Sequence, residues 1–122
     1  MIFRSRINDT WGHPAGDAVL RHVAALATGT VRSTDLIGRL GGEEFIVLLP
    51  NTSVEAGRRL AEKLRARLEA SVVPWEGTHI PVTASFGLAS TMPAEKLDFD
   101  HLYTEADKAL YLAKQRGRNR VV

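Results

Sequence analysis

Leu36-Ile37-Gly38-Arg39-Leu40-Gly41-Gly42-Glu43-Glu44-Phe45-Ile46-Val47-Leu48-Leu49 is the stretch that decides how this chain folds. Apolar runs stand on either side of a Gly-Gly pair, and glycine readily takes the positive φ that a tight turn between strands requires. Residues 36–49 therefore read as a β-hairpin. From Phe45 to Leu49 the side chains are apolar without alternation, so the second strand is expected to be covered on both faces. Directly behind the glycines come two acids, Glu43 and Glu44. Adjacent carboxylates on a backbone that permits close approach suit a divalent cation bound to phosphates. On these five residues alone, a solvated hairpin tip is an equally good reading.

Outward from the hairpin, the apolar period changes from strand to helix. Residues 14–30 carry Val19, Leu20, Val23, Leu26 and Ala27 on one stripe, which predicts a helix. Pro50-Asn51 ends the hairpin, and Thr52-x-x-Glu55 resembles a capping box for a second helix reaching about Ser71, with Leu60, Leu64 and Leu68 inward. Residues 81–88 alternate Val82, Ala84 and Phe86 with Thr83, Ser85 and Gly87, a half-buried strand. Residues 100–116 form the last predicted helix, with Leu102, Ala106, Ala109, Leu110 and Ala113 inward and Gly117 as its stop. Residues 118–122 can add a short closing strand. The order α-β-β-α-β-α-β predicts a mixed α/β fold with an antiparallel hairpin at its centre.

Composition bounds the function. With 122 residues the chain is read as one domain, and 44% hydrophobic with 25% charged residues is ordinary for a globular protein. Cysteine is absent, which excludes disulfides and thiolate metal sites. No apolar run approaches the ~18 residues of a membrane span, and residues 1–6 do not read as a signal peptide. Sixteen basic against fourteen acidic residues leave a charge of +2, too mild to point to nucleic acid. The cations are concentrated instead: Lys114, Arg116, Arg118 and Arg120 crowd the end of the last helix, where complementarity to the helix C-terminus explains part of them.

Further motifs fall in order around the hairpin. Asn8-Asp9 precedes Gly12-His13, and Gly16-Asp17 opens the first helix. Arg32-Ser33-Thr34-Asp35 lies five residues before Gly41. Ala106-Asp107-Lys108-Ala109-Leu110-Tyr111 is followed by Ala113-Lys114-Gln115-Arg116-Gly117-Arg118-Asn119. Together these resemble the GGDEF domain of diguanylate cyclases, in its GGEEF variant, over residues 7–122. The resemblance implies a sheet of about five strands flanked by helices, similar to nucleotidyl cyclase and polymerase palm domains. It implies condensation of two GTP into cyclic di-GMP, a bacterial second messenger, by a homodimer that uses Mg²⁺ (or Mn²⁺) in the cytoplasm, without nucleic-acid or membrane contact from this segment.

Site residues follow from the same resemblance. Glu43 would be a metal ligand and Glu44 would sit beside the reacting hydroxyl as ligand or proton acceptor, while Gly41 and Gly42 let the backbone pass the nucleotide. Asn8 and Asp17 match the guanine-recognising pair; the bland alternatives are an Asx turn and a charge in the first helical turn. Lys114 and Arg118 match the residues that hold the β- and γ-phosphates. Arg32 and Asp35 match the product-inhibition motif, although an isolated pair of this kind can be an ordinary surface ion pair. Lys63 matches a second cation supplied by a partner subunit, and a solvated helix face suits it equally. Trp11, Trp75, Tyr103 and Tyr111 read as packing residues, and His13, His22, His79 and His101 lack metal-ligand spacing.

The chain also departs from the family. The central strand of the family ends in a metal-binding Asp whose position falls before Met1, and Ser5 stands where a phosphate-touching lysine is usual. The expectation is an N-terminally incomplete domain lacking most of its first strand, with doubtful turnover. The alternative is a catalytically impaired module that binds cyclic di-GMP through Arg32 and Asp35.

Overall fold

The structure, a computed structural model, describes residues 1–6, 12–91 and 98–122. Its elements in chain order are β1 (Ile2–Arg6), α1 (Gly12–Thr30), β2 (Leu36–Arg39), β3 (Glu44–Leu48), α2 (Val54–Glu69), β4 (Val72–Trp75), β5 (Thr78–Pro81), β6 (Thr83–Gly87) and α3 (Phe99–Gln115). Four strands form an antiparallel sheet in the order β2-β3-β1-β6, and β4 with β5 makes a separate two-stranded hairpin. The expected mixed α/β architecture is observed.

Residues 1–6 correct the expectation that most of the first strand would be lacking: β1 is a five-residue strand inside the sheet, between β3 and β6. Phe3 pairs in register with Phe45 on one side and Phe86 on the other, and its ring stacks between theirs at 5.1 and 5.0 Å. Three aromatic rings side by side bury a large apolar area, so five residues suffice to anchor a central strand.

Strand alternation then separates the two faces. Phe3, Phe45, Val47, Ala84 and Phe86 point toward α1 and α2, where Val19, Val23, Ala27, Ala61, Leu64 and Leu68 close the main core. Ile2 and Ile46 point the other way and meet Ala106 and Leu110 of α3. The second face is covered only in part. Ile46 is half-buried and Leu48 exposed, so β3 alternates rather than being covered on both faces as its apolar run suggested.

Three local expectations change. Ser53, not Thr52, caps α2, accepting from the Ala56 N–H at 3.1 Å, while Thr52 donates back to the Pro50 carbonyl. The strand expected over residues 81–88 is shorter, and the segment before it folds as the β4–β5 hairpin. Positive φ at Glu76 and Gly77 makes its two-residue turn, a signal obscured by Pro74 and Pro81 in the flanking strands. The closing strand reduces to a parallel bridge between Val121 and Phe86, held by Phe86 N–H to the Arg120 carbonyl at 2.9 Å and Val122 N–H to the Phe86 carbonyl at 3.0 Å.

Candidate active site

The hairpin tip is a three-residue loop. Leu40 N–H donates to the Glu44 carbonyl at 2.9 Å, and Gly41 and Gly42 carry the positive φ values, 98° and 52°. No heavy atom lies within 4 Å of where a Cβ would stand on either glycine, so their identity answers to backbone conformation and leaves the tip open. Arg39 fastens the loop from below, its Nε donating to the Gly42 carbonyl at 2.8 Å. Glu43 lies in the loop and Glu44 opens β3, so the two carboxylates leave the chain from neighbouring positions of different geometry.

Register brings further groups to them. Glu44 pairs across β3–β1 with Arg4, which pairs across β1–β6 with Ser85. The Arg4 Nε stands 3.9 Å from a Glu43 oxygen, with both side chains nearly half exposed. Such an exposed pair contributes at most ~1 kcal/mol. From α3, the Tyr103 hydroxyl donates to Glu44 Oε1 at 3.3 Å, and the negative charge of Glu44 pushes the Tyr103 pKa up. Lys114, near the C-terminal end of the same helix, has its pKa pulled down, first by partial burial, then by Arg4 and Arg118, against the opposing pull of Glu44 and Asp107. Two carboxylates and the cations Arg4, Lys114 and Arg118 therefore share one electrostatic neighbourhood.

Arg118 stands on a strained turn. Gly117, Arg118 and Asn119 all have positive φ, of 117°, 64° and 46°. Arg118 N–H closes the helix on the Ala113 carbonyl at 2.9 Å. Asn119 holds the turn in place. Its backbone N–H donates to Ser85 Oγ at 3.2 Å, its Oδ1 accepts from Arg65 Nη1 at 3.1 Å, and its Nδ2 bonds Glu69. Arg65 is itself paired with Glu62 and Glu69 on α2. Helix α2 thus braces the turn that presents Arg118.

On the α1 side of the hairpin runs an open groove of ≈ 470 Å³, lined by Asp17, Leu20, Arg21, Ile37, Arg39 and Phe45 among others. It offers one carboxylate over an apolar floor and reaches the residue that fastens the loop. Asn8, the expected partner of Asp17, lies outside the described residues, as do Asp9 and Trp11.

Arg32 and Asp35 are closely tied. The Asp35 carboxylate, fully buried, accepts from the Arg32 N–H at 2.8 Å, its Nε at 3.1 Å and its Nη2 at 2.8 Å, and the Arg32 guanidinium also bonds the Thr52 hydroxyl. The hydrogen bonds from Arg32 hold Asp35 below the usual carboxylate range. Lys63 is exposed on α2.

The structure therefore brings Glu43, Glu44 and Lys114 into one neighbourhood with Arg118, places Asp17 in the adjoining groove, and sets Arg32 and Asp35 apart as a self-contained pair. Sequence reasoning missed Arg4 and Tyr103. Arg4 was an unremarkable charge on a short terminal segment, and only strand register puts it opposite Glu44. Tyr103 was read as packing; it does pack against the cluster of Ile2, Ala106 and Leu110, but its hydroxyl reaches Glu44. Among the described residues no group of three or more His, Cys, Asp or Glu could hold a metal alone. A pair of carboxylates instead fits a cation that arrives with phosphates and water as its other ligands.

Comparison with known proteins shows the family. The sequence matches the family described as "Diguanylate cyclase, GGDEF domain" over residues 3–120. It is 44% identical to diguanylate cyclase A of Treponema denticola over 98% of this chain and 32% of that protein. The fold superposes on the GGDEF domain of DgcB from Caulobacter crescentus in complex with c-di-GMP, with TM-score 0.86 and 31% identity over 99% of this chain and 75% of that one. It also matches the active GGEEF domain of a diguanylate cyclase from Vibrio cholerae, with TM-score 0.80 and 36% identity over 98% of this chain and 79% of that one. The chain belongs to the diguanylate cyclase GGDEF domain family. It spans about a third or less of the length of the curated relatives it matches.

Proposed function

We propose that this domain condenses two molecules of GTP into cyclic di-GMP and releases two pyrophosphates. The observation that carries this reading is the acidic turn: Glu44 takes a hydrogen bond from Tyr103 of α3 and lies within the electrostatic reach of Lys114 on that helix, while Glu43 stands 3.9 Å from Arg4. Each condensation joins the 3′-oxygen of one nucleotide to the α-phosphorus of the other and breaks the bond from that phosphorus to the β-phosphate bridge. Negative charge develops on the leaving pyrophosphate, and Lys114 and Arg118 offset it, one as a point charge and one as a fork. Glu44 lies where it accepts the hydroxyl proton or holds a cation, and Tyr103 orients it by hydrogen bonding. Mg²⁺ or Mn²⁺, held by Glu43 and Glu44 together with the phosphates, would acidify the hydroxyl and polarise the phosphoryl oxygens.

The groove lined by Asp17 suits guanine, since a carboxylate accepts from the ring N–H and amino group while Leu20 and Ile37 cover its faces. The groove beside the acidic turn supports one nucleotide per protomer, so the reaction needs a homodimer that places two sites face to face. A reaction that draws on GTP fits the cytoplasm, which is the location proposed for this domain. Glu43 and Glu44 are the residues assigned to catalysis and metal, and Asn8, Asp17, Gly41, Gly42, Lys114 and Arg118 those assigned to substrate.

The test is incubation of the purified protein with GTP and Mg²⁺ or Mn²⁺, with cyclic di-GMP quantified by mass spectrometry. Product from the wild type that is lost in Glu44→Gln supports the reading. A folded protein that neither binds GTP nor forms product refutes it.

A second reading is favoured by the geometry of Arg32, whose guanidinium is held by buried Asp35 yet half exposed to solvent. A pre-oriented arginine suits the phosphates or guanine of cyclic di-GMP, with Lys63 of a partner as a second cation. Calorimetry separates the readings: cyclic di-GMP binding abolished by Arg32→Ala without turnover indicates a binding module rather than an enzyme.

A further inference from the structure

Arg4 stands on the α3 face of the sheet, at a position the helix leaves open. Ile2, two residues earlier on the same face, is fully covered by Ala106 and Leu110. Arg4, on the central strand, keeps nearly half of its side chain in solvent. A central-strand charge this exposed is free to change partners. The residues in register beside it are Glu44 and Ser85, and its guanidinium is turned toward Glu43. Lys114, whose pKa is lowered first by partial burial, lies close enough for the Arg4 charge to lower it further. Gathering cations costs free energy unless anions lie among them, and among the described residues Glu43, Glu44 and Asp107 offset them.

Resting on the reading of Glu43 and Glu44 as the cation-holding pair, we propose that Arg4 is a resident counterion of the acidic turn, competing with the divalent cation for Glu43. In the nucleotide-free protein the guanidinium neutralises part of the charge that would attract a metal ion. When a nucleotide arrives, its phosphates offer Arg4 an alternative partner beside Lys114, and Glu43 is released to the cation. Metal binding is thereby made conditional on the triphosphate. The Arg4–Glu43 separation of 3.9 Å suits this role, because a loosely held, exposed pair can be exchanged at little cost.

The experiment titrates Mn²⁺ into nucleotide-free protein and follows the free-ion signal by electron paramagnetic resonance. Wild type, Arg4→Gln, Arg4→Met, Glu43→Gln and the double variant Arg4→Gln with Glu43→Gln are compared, each checked for folding by circular dichroism. Removing the guanidinium is expected to tighten Mn²⁺ binding about fivefold, the scale of an exposed ion pair. The double variant should lose that gain. Either single substitution at Arg4 is sufficient if the other fails to fold, because both remove the charge and keep a long side chain on a solvent-facing position. Unchanged or weaker Mn²⁺ binding in the folded Arg4 variants overturns the counterion role while Glu43→Gln still reduces binding. If Glu43→Gln has no effect on Mn²⁺ binding to the nucleotide-free protein, Glu43 holds no cation for Arg4 to compete with and the counterion role is overturned, whereas the proposed function stands or falls by the GTP assay.

Discussion

Gly87→Ala tests the most demanding contact in the fold. A Cβ built on Gly87 would stand 2.2 Å from the Ala106 carbonyl oxygen, 2.3 Å from the Leu110 nitrogen and 2.9 Å from the Leu110 Cα. All three are helix backbone, so no side chain can rotate away. Relief to even the 3.0 Å limit of real Cβ contacts requires α3 and β6 to separate by about 0.8 Å. That movement loosens Ala106 and Leu110 against Ile2, and it carries Tyr103 and Lys114 away from Glu44. Overpacking against rigid backbone is expected to cost about 3 kcal/mol, a fall of roughly 10 °C in melting temperature. Urea unfolding gives the first value, and binding of a fluorescent GTP analogue reports whether the α3 cations have moved. Gly38→Ala is the matched control, since its Cβ would meet only Ile46 Cγ2 at an ordinary 3.7 Å. Gly87→Ala within about 0.5 kcal/mol of both wild type and the control would refute the reasoning.

Other perturbations read other parts of the site. Tyr103→Phe removes one hydroxyl from Glu44 and should lower kcat by about threefold to tenfold with KM for GTP unchanged, as measured by steady-state kinetics. Arg65→Ala frees Asn119 and the turn bearing Arg118, so KM for GTP should rise severalfold while stability falls by about 1 kcal/mol in urea unfolding. Asp35, held below its ordinary value of 3.8 by Arg32, adds stability in full above that value and loses it as pH falls through the depressed folded pKa. Asp35→Asn should therefore unfold more easily at neutral pH, by about 1–3 kcal/mol, and lose less of its remaining stability on acidification below pH ~4, as followed by circular dichroism.

Much of the fold was legible because its signals are local. The glycine pair at 41 and 42, the helical stripes of α1 and α2 and the stop at Gly117 depend on residues a few positions apart, and each reappears within a few residues of its expected place. The β4–β5 hairpin escaped notice because prolines in both strands masked a turn that Glu76 and Gly77 make by left-handed backbone. The Ser53 cap differs from the expected Thr52 by one position, a distinction set by which hydroxyl is taken up by Arg32.

The amino-acid order alone determined the hairpin with its acidic tip, the helices around it and the cation-rich end of the last one, because turn chemistry and apolar period act over a few residues. Only the tertiary structure decided that residues 1–6 fill the middle of the sheet, that Arg4 faces Glu44 and that Tyr103 bonds it. Strand partners and helix placement are chosen by burying distant apolar faces against one another. Here that choice is the stacking of Phe3 between Phe45 and Phe86 and the seating of α3 on Gly87.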